Sequence, residues 1–226
     1  MSKVVFSTKE YVGKDLTGEE EALLERHVKG FIGGESNYLR SLLNFNWQSI
    51  IGALQVAKEQ FKQPFRGILA TDSEIGVQLI RPGHVMRTTD TTETPANDWT
   101  FTFTADGDYW VGFGTNNTTA ANIDKELLLL LLGVQFTQGN QPTVEELYIQ
   151  IGETVYAPYV IRQAWQADNP NRVRAQRIHP LLIEPKQTLL VQTYSILAGT
   201  NELVLLGLAF GPGRFLRKTS YTAVAL

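Results

Sequence analysis

The spacing of apolar and polar residues changes once along the chain, near residue 64. Before that point, apolar residues recur at the i, i+3, i+4, i+7 spacing of a helix, at Trp47, Ile50, Ile51, Leu54, Ala57 and Phe61. Polar residues fall between them, at Gln48, Gln55, Lys58, Glu59 and Lys62. The pattern predicts an amphipathic helix that ends before Pro64 and exposes this polar set on its outer face.

Helix start and stop signals precede this segment. The sequence Thr17-Gly18-Glu19-Glu20 has the form of a capping box, in which the hydroxyl of the first residue and the carboxylate of the fourth satisfy each other's backbone amides. Gly33-Gly34 is a helix stop, and Ser36 is the next candidate N-cap. We therefore predict a short α-helical arm over residues 1–64.

Beyond residue 64 the apolar pattern takes the period of a β-strand. Trp99–Thr104 alternates strictly, and Ala105–Asp108 predicts a turn that joins it in a hairpin to a strand beginning at Tyr109. Further strands are predicted at 75–80, 127–136, 147–151, 155–161 and 172–178. Because no helical pattern separates them, the sequence indicates antiparallel sheets and excludes a βαβ arrangement.

The last third of the chain carries two apolar runs. Pro185 predicts the start of one strand, and Gly199–Asn201 predicts a tight reversal ahead of the second, Leu203–Phe210. The second run is apolar at consecutive positions, which is typical of a strand covered on both faces. The predicted fold is mainly β: an antiparallel, jelly-roll-like β-sandwich over residues 65–226 behind the helical arm.

Composition narrows the possible partners. The chain has 226 residues, 43% of them hydrophobic, with 20 basic and 23 acidic side chains. A net charge of -3 argues against a nucleic-acid partner, and the absence of cysteine excludes disulfides and cysteine-bound zinc. The apolar run Leu127–Leu132 is far shorter than the roughly 20 residues of a membrane helix, so we predict no membrane span.

No residue pattern reaches the form of an active site. His27, His84 and His179 are isolated and no nucleophile motif accompanies them. Asp106 and Asp108 favour a hairpin turn over a calcium site, because one carboxylate pair supplies too few oxygens. The run Gly211–Arg214 favours a turn at a sheet edge over a phosphate loop, because no helix start follows it. We predict no catalytic, cofactor-binding or metal-ligating residue, and no enzyme activity.

For two sets of residues, one of arginines and one of aromatic residues, the sequence leaves two interpretations open. Arg172, Arg174 and Arg177 alternate along a predicted strand, either as a solvated face or as a contact to an acidic neighbouring subunit or a phosphate backbone. The aromatic set either fills the core or forms a sugar-stacking platform, and it comprises Trp99, Tyr109, Trp110, Tyr156, Tyr159 and Trp165. Asn116–Thr119 contains glycosylation sequons, which we interpret as loop residues.

The chain resembles jelly-roll virion structural proteins, namely capsid and accessory proteins of bacterial double-stranded DNA viruses. The resemblance covers Phe65–Phe210 and rests on the Pro185–Thr188 turn, the Gly199–Asn201 reversal and the final leucine-rich strand. It implies a virion component that works as a homo-oligomer, such as a trimer, and contacts other virion proteins. The apolar end Ala223–Leu226 is then expected to be sheltered. A carbohydrate-binding sandwich and an enzyme on a cupin-like sandwich remain the alternatives.

Overall fold

A computed structural model describes residues 3–6, 9–12, 16–31, 37–85, 99–103, 107–111, 121–138, 144–160, 174–195, 198–213 and 216. The first part of the chain forms a short antiparallel hairpin, β1 (Lys3–Phe6) with β2 (Lys9–Val12), which the sequence pattern did not predict. Three helices follow: α1 (Gly18–Phe31), α2 (Asn37–Phe45) and α3 (Trp47–Phe61).

The start of α1 confirms the predicted capping box. The backbone amide of Thr17 donates to the Glu20 carboxylate over 3.0 Å, and the Glu20 amide donates to the Thr17 hydroxyl over 3.2 Å. α3 ends at Phe61, ahead of Pro64 as predicted, and its C-cap Lys62 adopts the left-handed conformation, φ 52°, that is common where helices end. The position of Ser36 lies outside the described residues.

The rest of the described chain is mostly β-strand. Its strands are β3 (Ile75–Leu79), β4 (Thr100–Phe103), β5 (Gly107–Val111), β6 (Ala121–Asn122), β7 (Leu128–Gln138), β8 (Val144–Ile151), β9 (Thr154–Val160), β10 (Arg174–Ile183), β11 (Thr188–Ser195) and β12 (Gly199–Pro212). Two short helical segments interrupt them, a 3-10 turn at Gly67–Leu69 and the single-turn helix α4 (Pro82–Val85). Neither was predicted.

The strands of this region form two antiparallel sheets. The first sheet has the order β10-β7-β12-β3, with β4 also paired to β12. The second has the order β5-β11-β8-β9, with β6 also paired to β11. Each sheet therefore has two long central strands, one long edge strand and a second edge shared by two short strands. The mainly β, antiparallel sandwich predicted from the sequence is confirmed.

The connectivity is that of a jelly roll. Among the eight strands β4, β5, β7, β8, β9, β10, β11 and β12, the first pairs with the last, β4 with β12, and the second with the seventh, β5 with β11. The third pairs with the sixth, β7 with β10, and the two middle strands, β8 and β9, pair with each other. This is one long antiparallel ribbon, which folds on itself when β7 joins β12 and β8 joins β11.

The same connectivity overturns two local predictions. β4 and β5 do not form a hairpin, because β4 lies in the first sheet and β5 in the second. Gly199–Asn201 is not a reversal either: these residues open β12 and pair with β4, while the preceding strand, β11, belongs to the other sheet. Turn-forming residues mark a change of chain direction, but they carry no information on whether the next strand returns beside its predecessor or crosses to the facing sheet.

The core has two layers, and β7 separates them. Leu129 and Leu131 pack between the sheets, while Leu128, Leu130 and Leu132 pack under the helices. All of these leucines are inaccessible to solvent. The alternation of side chains along a strand thus explains the continuous leucine run, since both faces of β7 are covered. None of the described helices combines the length and the hydropathy that a membrane span requires.

The helices form the outer layer on the first sheet. Leu24 of α1, Leu43 of α2 and Leu54 of α3 share one buried cluster with Leu208 and Phe210 of β12. The apolar stripe predicted for α3 is therefore covered by the sandwich of its own chain. The division into an arm (1–64) and a separate sandwich domain (65–226) stays a prediction.

The polar side of α3 corrects one expectation. Gln55, predicted to be exposed, is 4% exposed, because α3 is covered along Gly52–Ala57 on more than one side. Lys58 is also partly buried, and its Nζ contacts both oxygens of Glu20 at 2.6 and 2.7 Å, which ties α3 to the start of α1.

Candidate functional site

The outer face of the second sheet is the part of the sandwich that no described element covers. Inward residues of β8 and β11 alternate with outward ones, so that Leu147, Ile149 and Val191 enter the core between the sheets. The outward residues define what we call the open face: Glu146, Tyr148, Gln150, Leu190, Gln192 and Tyr194, with Val155 of β9 beside them.

The open face is built from direct cross-strand pairs. Tyr148 lies opposite Gln192, Gln150 opposite Leu190, and Glu146 opposite Tyr194. Side chains in such positions are close enough to interact, so the six form one continuous surface. Val155, opposite Gln150, is 62% exposed, and Tyr194 is 37% exposed. The surface therefore offers aromatic and aliphatic area to a partner.

Hydrogen bonds within the sheet fix part of this surface. The Tyr148 hydroxyl donates to the Glu146 carboxylate two residues away on the same strand. The Gln150 side-chain amide donates to the carbonyl of Gly152 over 2.9 Å, at the β8–β9 turn. These bonds hold the side chains before any partner binds, which lowers the entropy that binding costs.

The composition of the open face fits recognition of another protein surface. Tyrosine is enriched where proteins bind each other and charged residues are depleted at the centre of such patches. Here two tyrosines and two glutamines accompany two aliphatic residues, Leu190 and Val155, and the carboxylate of Glu146, which already accepts a hydrogen bond. The sequence patterns did not single out Tyr148 or Tyr194, although the alternation of apolar and polar residues along β8 contained the signal.

A second exposed feature lies where α2 meets the edge strand β10. The guanidinium of Arg177 stacks over the ring of Phe45 at 3.8 Å from its centroid, and Phe45 is 68% exposed. Burial raises the pKa of Tyr38 nearby, while the charge of Arg177 acts in the opposite direction. Of the predicted arginine set, Arg174 lies in β10 and Arg172 lies outside the described residues.

The histidines lie on three different elements. His27 is on α1, beside Gly67, and partial burial together with Arg26 lowers its pKa. His84 is buried in α4, and His179 is exposed on β10. Among the described residues, no group of three or more histidine, aspartate or glutamate side chains could hold a metal ion. The absence of catalytic, cofactor and metal-binding residues stays a prediction.

The structure separates the predicted aromatic set. Trp99 belongs to the core between the sheets, and Tyr156 and Tyr159 pack against that core. Burial raises the pKa of Tyr159, and its neighbour Tyr156 adds to the effect. Tyr109 and Trp110 lie in β5, and the position of Trp165 is outside the described part. At Trp99, Tyr156 and Tyr159 the core interpretation therefore holds.

The glycines near the chain end serve packing. Gly211 and Pro212 end β12 and pair with β3, so they continue the strand and do not turn. A Cβ on Gly213 would lie 1.9 Å from the carbonyl oxygen of Ala70, which explains the glycine by close backbone approach. Three other predicted features, Asp106, Asn116–Thr119 and Ala223–Leu226, lie outside the described residues, and Asp108 is part of β5.

Comparisons with known proteins identify no family. No family model matches the chain, and no curated protein matches it. Among solved structures it is similar to the crystal structure of the infectious bursal disease virus VP2 subviral particle, at 13% identity and a TM-score of 0.31. The match covers 66% of this chain and 35% of the viral one, so the chain spans well under half of that protein's length. The predicted origin in a bacterial virus stays a prediction.

Proposed function

We propose that this protein is a non-enzymatic structural subunit of a virus particle that self-associates and contacts neighbouring shell or tail-vertex proteins. The observation that carries the proposal is the contrast between a sandwich sealed on one side by its own helices and the tyrosine- and glutamine-bearing open face on the other. The first sheet is covered by helices of its own chain, whereas the open face has the composition of a binding surface.

The jelly-roll connectivity supports the class of protein. This architecture is used by viral capsid proteins, lectins and cupins, so it limits the candidates without choosing among them. The resemblance of the sequence to virion proteins of bacterial double-stranded DNA viruses favours the first. We propose a homo-oligomer, such as a trimer, that is located in the virion.

The interior of the sandwich argues against the cupin-like alternative. A cupin-type enzyme needs polar metal ligands between the sheets. Most inward positions of the described strands are occupied by aliphatic side chains, including Leu129, Leu131, Ile149, Ile183 and Val191. The buried polar residues of β11, Thr193 and Ser195, are hydroxyl residues and not the histidines or carboxylates of such a metal site. The carbohydrate-binding alternative has one observation in its favour, because Tyr148 and Tyr194 lie on the open face.

Native mass spectrometry and sedimentation of the purified chain at micromolar concentration test the proposal. We expect a homo-oligomer, and the double variant Val155→Asp/Tyr194→Ala should weaken its association at least about tenfold, since it places an unpaired charge in a buried contact. Leu69→Asp is the matched control, because Leu69 is 83% exposed on the 3-10 turn, away from the open face.

Other outcomes would redirect the assignment. A stable monomer that binds a glycan, with binding lost in Tyr148→Ala or Tyr194→Ala, would make the protein a carbohydrate-binding module. Substrate turnover that is lost on changing one histidine or carboxylate would make it an enzyme. An oligomer that is unaffected by the double variant would mean that association uses a different surface.

A further inference from the structure

α4 is a single helical turn that closes on a histidine side chain. The backbone amide of His84 donates to the carbonyl of Arg81 over 2.9 Å. In return, the backbone amide of Arg81 donates to Nδ1 of the His84 ring over 3.0 Å. The first is the backbone bond of the turn, and the second corresponds to one half of a capping box, with the imidazole in place of the usual carboxylate. The ring that accepts this bond is 5% exposed.

Because Nδ1 accepts from the backbone, the second ring nitrogen, Nε2, carries the proton of the neutral ring. Nε2 lies 2.8 Å from the side-chain amide of Gln78, which extends from β3 and donates to the carbonyl of Leu216 over 3.0 Å. A neutral imidazole has one nitrogen that can accept a hydrogen bond, whereas a doubly protonated ring has none. With Nδ1 accepting from the backbone, a second proton can bind only there, and it would leave the Arg81 amide without its acceptor.

No negatively charged group among the described residues offsets the positive charge that this proton would bring. Burial, and then the positive charge of Arg81, lower the pKa of His84 to about 3. The elements packed against the ring bring a neutral amide from Gln78 and a backbone carbonyl from Leu216, and Arg81 is the charged group that acts on it among the described residues. Once the turn opens and the ring reaches water, its pKa returns to roughly 6.5.

We propose that His84 is an acid-sensitive latch: a proton on Nδ1 displaces the Arg81 amide and opens the turn Arg81–Val85 while the sandwich stays folded. Opening would expose Val85, which packs in the core between the two sheets. The latch is independent of the function proposed above, because it rests on α4 and β3 alone. It would make the core around Val85 accessible in an acidic compartment.

The direction of the pH effect follows from proton uptake. The closed turn keeps His84 neutral and the open turn binds a proton, so acid favours the open form. With a closed pKa of about 3 and an open pKa of roughly 6.5, lowering the pH from 7 to 5 raises the open-to-closed ratio about 25-fold. The stabilising effect of the neutral ring is complete above the open-state pKa and declines as the pH falls toward 3.

Amide hydrogen exchange of the full chain, followed by NMR and corrected for intrinsic rates, measures this ratio directly. We expect the protection of the Arg81 amide to fall about 25-fold between pH 7 and pH 5, while central β7 amides such as Val134 keep theirs. In His84→Asn, the side-chain oxygen can still accept from Arg81 but does not titrate, so the fall should vanish. His179→Asn, at an exposed position on β10, should behave as the natural chain does.

Two results would overturn the latch: no fall in the natural chain, or the same fall in His84→Asn. If His84→Asn does not fold, the pH dependence of the NMR signal from the His84 ring in the natural chain tests the latch instead. The chain has three histidines, so His27→Asn and His179→Asn assign the third signal. We expect the folded-state signal of His84 to remain that of a neutral ring at pH 5. A His84 signal that titrates near 6.5 while the Arg81 amide shift stays constant would exclude the latch.

Discussion

The outer faces of the two sheets differ in what covers them and in the side chains they present. On the first sheet, Leu128, Leu130 and Leu208 point outward and are fully buried beneath α1, α2 and α3. On the second sheet the outward positions include Tyr148 and Gln192, and no described helix lies over them. The inner faces, by contrast, are alike, since both supply aliphatic side chains to one shared core.

This difference is reflected in the pattern of apolar and polar residues along each strand. β7 and β12 are apolar at consecutive positions because each contacts a layer on both sides. Along β8 and β11, buried positions alternate with more exposed ones, because one of their sides meets solvent or a partner. The two tyrosines and the exposed Val155 on that side are the observation on which the proposed interaction surface rests.

The largest expected effect tests the covered face. Deleting residues 1–63 removes all three helices and would expose six buried side chains: Leu128, Leu130, Leu132, Leu182, Leu208 and Phe210. At about 1.5–3 kcal/mol for each, their burial is worth at least about 9 kcal/mol, which is comparable with the whole stability of a domain, about 5–15 kcal/mol. We expect an insoluble or unfolded product, measured by solubility and circular dichroism.

A control tests whether the deletion acts by uncovering the buried leucines of the first sheet. Residues 1–63 supplied as a separate chain should restore solubility if covering the leucines is their role. A truncated chain that stays folded and keeps the oligomeric state of the full chain would show that the sandwich is an independent domain. It would also show that the helices do not drive association.

Leucine-to-alanine substitutions at single positions on the two sheets are expected to have smaller effects and compare the sites directly. Leu208→Ala, under the helices, and Leu205→Ala, between the sheets, should each lower the free energy of unfolding by about 2–5 kcal/mol, because both side chains are buried and leave a cavity. Leu190→Ala, on the open face, should cost about 1 kcal/mol or less in the monomer. Denaturant unfolding measures all three. Equal losses at Leu190 and Leu208 would mean that the open face is covered within the chain.

Much of this fold could be predicted from local patterns. The capping box at Thr17, the stop at Lys62 and the alternating or continuous apolar character of each long strand all depend on residues near in sequence. The sandwich class follows from many strands without intervening long helices. The hairpin β1–β2 and the turn α4 were missed, because four-residue elements give too few positions for a period to be recognised.

The remainder depends on contacts between distant residues. Which strands pair was predicted wrongly for β4 with β5, since pairing is decided by the fold of the whole ribbon. Gln55 was assigned to solvent by its position on the helix, and is buried because α3 is covered on more than one side. The open face was missed for a related reason: alternation shows that a strand has an uncovered side, but only the assembled sheet shows which residues that side brings together.

The smallest expected effect concerns that buried glutamine, the polar exception inside the helical layer. The side-chain oxygen of Gln55 is inaccessible to solvent and accepts no hydrogen bond among the described residues. An unsatisfied buried acceptor costs about 1–3 kcal/mol, part of which the amide nitrogen can recover if it donates. Gln55→Met keeps a similar volume without the polar amide group, so we expect the free energy of unfolding to rise by up to about 1 kcal/mol.

Gln48→Met is the matched control for this substitution, because Gln48 lies on the exposed side of the same helix and should change stability by less than about 0.5 kcal/mol. Thermal and denaturant unfolding of the two variants against the natural chain give the comparison. A loss of more than about 1 kcal/mol in Gln55→Met would show that the amide is held by a polar partner, and that the layer over the first sheet is less uniformly apolar than the leucines of β7 indicate.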